Sequence, residues 1–145
     1  MKLNLFIVIL TLFSSCLFSQ ENAWQKAYND NGIEFSYKKV ECHDIQNGIH
    51  EEYFLVQINN NSGNPVSLKW NYHLWNNDIC LNCKENSSDI KFFEANIAAG
   101  ESIEGSCDNK EQKGLHIFTR FLNYKTANPV SRFTVENVEV IFDKL

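Results

Sequence analysis

The stretch Val66-Ser-Leu-Lys-Trp-Asn-Tyr-His-Leu-Trp75 alternates apolar and polar residues almost without a break. Its apolar row consists of five large side chains, Val66, Leu68, Trp70, Tyr72 and Leu74. A period of two is typical of a β-strand with one face buried and the other in water. Pro65 before the stretch and the polar residues 76–78 after it are turn signals that limit the strand at both ends. The stretch therefore predicts a central strand that fills the middle of a small core.

Further stretches of the chain show strand-like composition and are separated by turn residues. With the central strand, the predicted strands cover residues 32–41, 52–59, 66–75, 90–97, 102–107, 115–124 and 132–142. The alternation slips near Asn137, which predicts a β-bulge in the last strand. Residues 23–28 are expected to form one helical turn or a loose arm that packs Trp24. About seven strands with no longer helical period predict an all-β fold, a single antiparallel β-sandwich.

The N-terminus has the features of a cleaved secretory signal peptide, which we assign to residues 1–20. Lys2 precedes an uncharged apolar run, and small residues follow it. The run ends at Phe18, and it is shorter than the about 20 residues that a membrane-spanning helix needs, so no transmembrane segment is expected. Residues 21–145 then form the mature β-sandwich domain. A lipid anchor on Cys16, as in bacterial lipoproteins, is the alternative to simple cleavage.

Charge and motif content exclude several classes of function. The 145 residues include 18 acidic and 13 basic ones, and the net charge of −5 with no basic stripe argues against nucleic acid as a partner. No phosphate-binding loop, catalytic Ser-His-Asp spacing or His-x-x-x-His motif is visible, so we expect neither enzyme activity nor a cofactor. The sequence instead predicts an exported, non-catalytic binding or envelope-assembly module. It would be secreted, periplasmic or on the cell surface, and its partner would be an unidentified protein or glycan.

Four cysteines of the predicted mature domain, Cys42, Cys80, Cys83 and Cys107, lie at strand ends or in the adjoining loops. Because odd-numbered strands of an alternating sandwich run in the same direction, all four are expected at one end of the domain. An even count in an exported chain favours two disulfides. We favour Cys42–Cys107 with Cys80–Cys83, while pairing of Cys42 with Cys80 or Cys83 stays open. The alternative function is a metal- or thiol-dependent protein that uses the same four cysteines, either as a four-cysteine metal site or through a redox Cys-x-x-Cys pair.

Two residues at the end of the central strand form a candidate binding surface. His73 lies in the polar row, and Trp75 follows it next to the predicted cysteine loop. An exposed tryptophan is a frequent anchor for a ligand. The alternatives are an ordinary surface histidine and a tryptophan that packs against a disulfide.

The number and spacing of the predicted strands resemble those of immunoglobulin-like and fibronectin-type sandwiches. The resemblance covers the whole mature chain, but it lies in the strand pattern alone. The cysteine and tryptophan spacing of true immunoglobulin domains is absent, because the second predicted strand has no cysteine. The resemblance implies a fold of two packed sheets and carries no function with it.

Overall fold

The structure, a computed structural model, describes residues 23–84, 90–109 and 111–142. These residues form nine strands: β1 (Gln25–Asp30), β2 (Ile33–Asp44), β3 (Ile49–Asn60), β4 (Val66–Asn76), β5 (Ile79–Cys80), β6 (Phe93–Ile97), β7 (Ser102–Glu104), β8 (His116–Phe121) and β9 (Arg132–Phe142). The predicted signal peptide and Cys16 lie outside the described residues. Within the described ranges, no helix is long and apolar enough to cross a membrane.

The strands form two antiparallel sheets that pack against each other. In the first sheet the order is β1-β2-β3, and both β7 and β8 pair with the far edge of β3, one after the other. In the second sheet β4 is central, with β9 on one side and β5 and β6 on the other. The nine strands therefore occupy seven positions in the two sheets. This arrangement confirms the predicted all-β antiparallel sandwich.

The structure corrects the prediction for residues 23–28, where β1 takes the place of a helical turn or loose arm. β1 is an edge strand that is exposed along most of its length, so its sequence shows no apolar alternation. It is held by its ladder with β2 and by Tyr28, whose ring packs edge-on against Phe35 at 5.7 Å. The predicted fourth strand is also shorter than expected, and so is the fifth, because β6 begins at Phe93 and β7 ends at Glu104.

The predicted burial of the central strand is confirmed for four of its five apolar residues, whereas Leu74 is half-buried. Val66, Leu68, Trp70 and Tyr72 are at most 4% exposed. The Trp70 ring meets Phe35 of the opposite sheet edge-on, with ring centroids 5.6 Å apart. Burial raises the pKa of the Tyr72 phenol, whose hydroxyl donates a hydrogen bond to the carbonyl of residue 114 at 2.6 Å. One face of β4 thus forms the centre of the core.

The predicted bulge in β9 is also confirmed. The register between β4 and β9 shifts between Lys69 and Asn71. Asn137 has a positive φ of 50°, a conformation in which asparagine is favoured over most residues. Its side-chain amide donates to the side-chain oxygen of Asn71 at 2.9 Å, which links the bulge back to the central strand. Asn71, predicted on the wet face of the central strand, is 0% exposed, because it lies under the β9 bulge, where Asn137 donates this hydrogen bond to it.

β7 and β8 are two parts of one strand position, and between them lie residues 106–109 and 111–114, which we call the 106–114 loop. The amide of Gly105 donates to the carbonyl of Val56 at 3.0 Å, and the amide of Val56 donates to the carbonyl of Leu115 at 2.9 Å. The chain therefore leaves and rejoins the sheet beside a single residue. A Cβ atom on Gly105 would lie 2.2 Å from the Leu115 carbonyl oxygen, so this crossing requires glycine.

A buried carboxylate ties β3 to β8. Glu52 is 6% exposed, and its carboxylate accepts hydrogen bonds from the Thr119 hydroxyl at 2.8 Å and the Arg120 guanidinium at 3.1 Å. The Lys39 ammonium is 3.4 Å away. Burial by itself would raise the pKa of Glu52, but the two hydrogen bonds and the two cations outweigh it and hold the pKa below its usual value.

Candidate binding groove

The candidate surface at His73 and Trp75 already has partners within the chain. His73 Nδ1 is 3.8 Å from a carboxylate oxygen of Glu136, and the Arg132 guanidinium lies 4.0 Å from the centre of the Trp75 ring. Both His73 and Trp75 are half-buried. The cation therefore covers one face of the tryptophan ring, which leaves less of it available to a ligand.

The four cysteines form two disulfides, Cys42–Cys107 and Cys80–Cys83. The first packs on the first sheet with Tyr53 and Leu55, whereas the second closes the turn that follows β5 in the second sheet. A four-cysteine metal site needs four thiolates, and with all four sulfurs in disulfides that site is not formed in this structure. A Cys80–Cys83 disulfide is also the oxidised form of a redox pair, so the redox alternative stays a prediction.

A concave site lies elsewhere, between β6 of the second sheet and β7 of the first. It is a groove with a volume of about 560 Å³. Its apolar lining consists of Trp70, Phe92, Phe93, Ala95, Ile103 and Leu115. Its polar lining consists of Lys91, Glu94, Asn96, Glu111, Gln112 and Lys113. The volume and the apolar lining are in the range of sites that bind ligands.

Aromatic rings form the floor of the groove. Trp70 is 1% exposed and lies against Phe93, with ring centroids 6.0 Å apart, and Tyr72 contacts the same ring at 5.6 Å. Gly114 approaches Phe93 so closely that a Cβ atom would lie 2.6 Å from the ring. The end of the 106–114 loop is therefore fitted against this aromatic floor.

The rim of the groove has balanced charge. Lys91 and Lys113 are the basic lining residues, and Glu94 and Glu111 are the acidic ones. Phe92 projects at the rim with 48% exposure, and the Lys69 ammonium lies 5.0 Å from the centre of its ring. A balanced rim around an apolar floor favours an amphipathic ligand over a highly charged one.

Strand edges border the groove on both sides. β6 pairs with β4 along Val66–Trp70, and β7 pairs with β3 along Gln57–Asn59. In the described part of the chain, neither strand has a ladder partner on its other edge. Such edges present backbone donors and acceptors that a further extended segment can pair with.

The groove was not among the sites predicted from the sequence. Its residues come from Trp70, from 91–96, from Ile103 and Leu115 and from the end of the 106–114 loop, and no local motif connects them. One local signal was present: apolar and polar residues around Phe92 and Phe93 do not alternate strictly. An edge strand needs no strict alternation, so this irregularity is typical of a strand at a sheet edge.

Across the described ranges, no group of three or more His, Cys, Asp or Glu side chains could hold a metal ion.

Comparisons with protein-family models, with curated proteins and with solved structures found no match. The geometry and the chemistry of the groove are therefore the guide to its function.

Proposed function

We propose that the protein is an exported, non-catalytic binding module, stabilised by disulfides, that holds an extended segment of a partner protein in the groove between β6 and β7. The observation that carries this proposal is the combination of an apolar floor with strand edges on both sides. An added strand gains hydrogen bonds along its backbone, and alternate side chains reach the pockets below it.

The lining of the groove favours a protein segment over other partners. The exposed Phe92 and the half-buried Phe93, which lies on the buried Trp70, offer aromatic surface for the apolar side chains of such a segment. The polar rim offers partners for the alternate residues that point away from the floor. A glycan, the other partner class expected from the sequence, would use the surface at Trp75, where Arg132 already covers one face of the ring.

Export is supported by two independent features. The first is the signal-like N-terminus, and the second is the pair of disulfides, which persist in oxidising compartments outside the cytoplasm. The proposal therefore places the partner in the same compartment. A secreted, periplasmic or surface location is equally compatible with it.

Site-specific photocrosslinking tests the proposal in cells that export the protein. p-Benzoylphenylalanine would replace Phe92 at the groove, Leu81 near the surface at Trp75, or Phe142 at the end of β9. These residues are 48%, 36% and 45% exposed, so the three probes are closely matched in accessibility. Crosslinked products would be separated and identified by mass spectrometry.

We expect a discrete crosslink to a protein from position 92 and none of comparable yield from position 142. Adding Ala95→Arg, which places a charged side chain in the lining, should abolish that crosslink while far-ultraviolet circular dichroism stays unchanged. A stronger crosslink from position 81 would move the binding site to the surface at His73 and Trp75. Equal yields from all three positions would contradict a specific groove.

A further inference from the structure

The tip of the β2–β3 hairpin brings two histidine rings into direct contact. His43 and His50 face each other in the strand register, and their Nδ1 atoms are 2.8 Å apart. Two ring nitrogens at this distance hold one proton between them, because one has to offer a lone pair to the N–H group of the other. At least one imidazole therefore presents a lone pair to the space between the two rings.

A carboxylate lies behind the first ring. Glu41 Oε2 is 3.6 Å from Nε2 of His43, the nitrogen on the far side from His50. A negative charge in this position favours the tautomer with the proton on Nε2, which leaves the lone pair on Nδ1. Histidines that bind metal ions commonly place a carboxylate in this outer position, where it orients the ring and raises its basicity.

The hairpin tip is held on several sides. Asp44 accepts a hydrogen bond from the amide of Asn47 at 3.1 Å, which closes the turn. The amide of Leu122 donates to the carbonyl of His50 at 2.8 Å. The Cys42–Cys107 disulfide fixes the residue next to His43. The two rings are therefore preorganised, which reduces the cost of binding an ion between them.

The charge around the tip favours a cation. A cavity of about 600 Å³ lies beside the hairpin, and the described residues that line it include Asp44, Glu51 and Asp108 but no lysine or arginine. Carboxylates on one side of a site raise the local concentration of cations.

We propose that His43 and His50 form a binding site for a divalent transition-metal ion, with Cu²⁺ as the preferred ion. With metal–nitrogen distances of about 2.0–2.1 Å, two ligands at a right angle are about 2.9 Å apart, whereas two ligands at the tetrahedral angle are about 3.3 Å apart. In the ligand-free pair the 2.8 Å is the separation across the shared proton, and it is close to the spacing at the right angle of tetragonal Cu²⁺ or Ni²⁺, so the rings need to move little to bind such an ion. Of the two, Cu²⁺ binds more tightly to a given set of ligands.

The remaining coordination positions are taken by water, since among the described residues no third His, Cys, Asp or Glu side chain completes a metal-binding group. When the ion enters, the Nδ1 proton between the rings moves through solvent to Nε2 of His50. Both rings then remain neutral, and both Nδ1 lone pairs point at the metal.

Titration of the disulfide-intact exported protein with Cu²⁺ at fixed pH, followed by electron paramagnetic resonance, tests this proposal. We expect one bound equivalent with hyperfine coupling to two nitrogens. His43→Ala and His50→Ala should each raise the dissociation constant more than about tenfold and remove one nitrogen from the coupling pattern. His73→Ala is the matched control, because His73 also lies near a carboxylate but has no second imidazole beside it, and it should leave both readouts unchanged.

Glu41→Gln tests the orienting carboxylate and should weaken Cu²⁺ binding about tenfold, the lower end of the effect of such outer partners. In the His43→Ala background the same change should have no further effect. A second readout needs no variant, because bound Cu²⁺ should broaden the amide signals of residues 41–52 in the nuclear magnetic resonance spectrum before those of the groove. Broadening centred elsewhere, or equal loss of binding in His43→Ala and His73→Ala, would overturn the site.

Discussion

The two disulfides close loops of very different size, and they hold different parts of the molecule. Cys42–Cys107 joins residues 65 apart in sequence, and Cys42 is 5% exposed. Cys80–Cys83 joins residues only 3 apart, at a half-buried turn. Chain entropy predicts a stabilisation of about 4 kcal/mol for the long loop and below about 2 kcal/mol for the short one. Cys42–Cys107 therefore contributes most of the disulfide stabilisation, whereas Cys80–Cys83 mainly fixes the shape of a turn.

The difference extends to the two proposed sites. The 106–114 loop, which Cys107 fastens to β2, supplies Glu111, Gln112 and Lys113 to the rim of the groove. Cys42 is also next to His43 at the hairpin tip. Cys80–Cys83 instead lies near Trp75, which pairs with Cys80 in the ladder. Loss of the first disulfide should disturb both proposed sites, whereas loss of the second should disturb the Trp75 surface alone.

The largest effect is expected from removing the long-range disulfide. Cys42→Ala with Cys107→Ala should lower the free energy of unfolding by about 4 kcal/mol, because the unfolded chain regains the entropy of a long loop. Urea titration of the variant and the unmutated protein, both without reductant, measures the difference. An effect no larger than that of removing both Cys80 and Cys83 would contradict the contrast between the two regions.

Gly105→Ala should disturb the base of the 106–114 loop, near the long-range disulfide, without changing a cysteine. A Cβ atom at this position would lie 2.2 Å from the Leu115 carbonyl oxygen, so the base of the 106–114 loop has to move. We expect a loss of about 2–3 kcal/mol, typical of a forced fit in a packed site. Gly63→Ala is the control: its Cβ atom would meet nothing within 4 Å, and its cost of about 1 kcal/mol comes from the positive φ alone. Equal losses of stability in the two variants would mean that the Leu115 carbonyl does not approach Gly105 closely.

The buried Glu52 carboxylate, which ties β3 to β8, should make the free energy of unfolding depend on pH. Because the pKa of Glu52 is lower in the folded than in the unfolded protein, its contribution is fully present above the unfolded pKa of about 4.3. It is lost as the pH falls through the lower pKa of the folded state. Glu52→Gln should cost about 2 kcal/mol at pH 7, as hydrogen bonds to a charged group do. The difference from the unmutated protein should shrink as the pH falls below about 4, and urea titrations at pH 7, 5 and 3 measure it. A constant difference would contradict the role of the charge.

The sequence predicted the features that depend on local alternation. The buried row of β4 follows from the period of two, and the bulge at Asn137 follows from the slip in that period. β1 could not be predicted in this way, because an edge strand that is exposed on most of its length has no apolar row. The groove could not be predicted either, since it depends on how far β6 lies from β7, and the chain meets itself at Gly105 only in the folded state.

The candidate sites also differ in how far they could be predicted from the sequence. His73 and Trp75 were visible because they lie on one strand, but their cross-strand partners Glu136 and Arg132 depend on the register of β9. The contact between His43 and His50 is an intermediate case. It follows from the register of one hairpin, so a prediction of the turn around Gly48 would have placed the two histidines opposite each other.

A smaller effect is expected from the short disulfide. Cys80→Ala with Cys83→Ala should cost about 1.5 kcal/mol, because a ring of this size removes little entropy from the unfolded chain. Tryptophan fluorescence should nevertheless change, since the turn lies next to Trp75. The crosslink from position 92 and the Cu²⁺ affinity should stay as they are in the unmutated protein. A change in either would show that the Cys80–Cys83 turn is coupled to the groove or to the histidine pair.

The smallest effect is expected at His73, whose nearest charged partner is solvent-accessible. The ring nitrogen and the Glu136 carboxylate are 3.8 Å apart, and their side chains are 24% and 39% exposed. Partly exposed ion pairs contribute little, because water screens them and both side chains lose freedom when they pair. His73→Ala should therefore change the free energy of unfolding by no more than about 0.5 kcal/mol. A double-mutant cycle with Glu136→Gln should give a coupling energy below about 0.5 kcal/mol. A coupling well above that value would show that the His73 face of β4 contributes to stability. The surroundings of Cys80–Cys83 and Trp75 would then no longer differ from those of Cys42–Cys107 in their importance for stability.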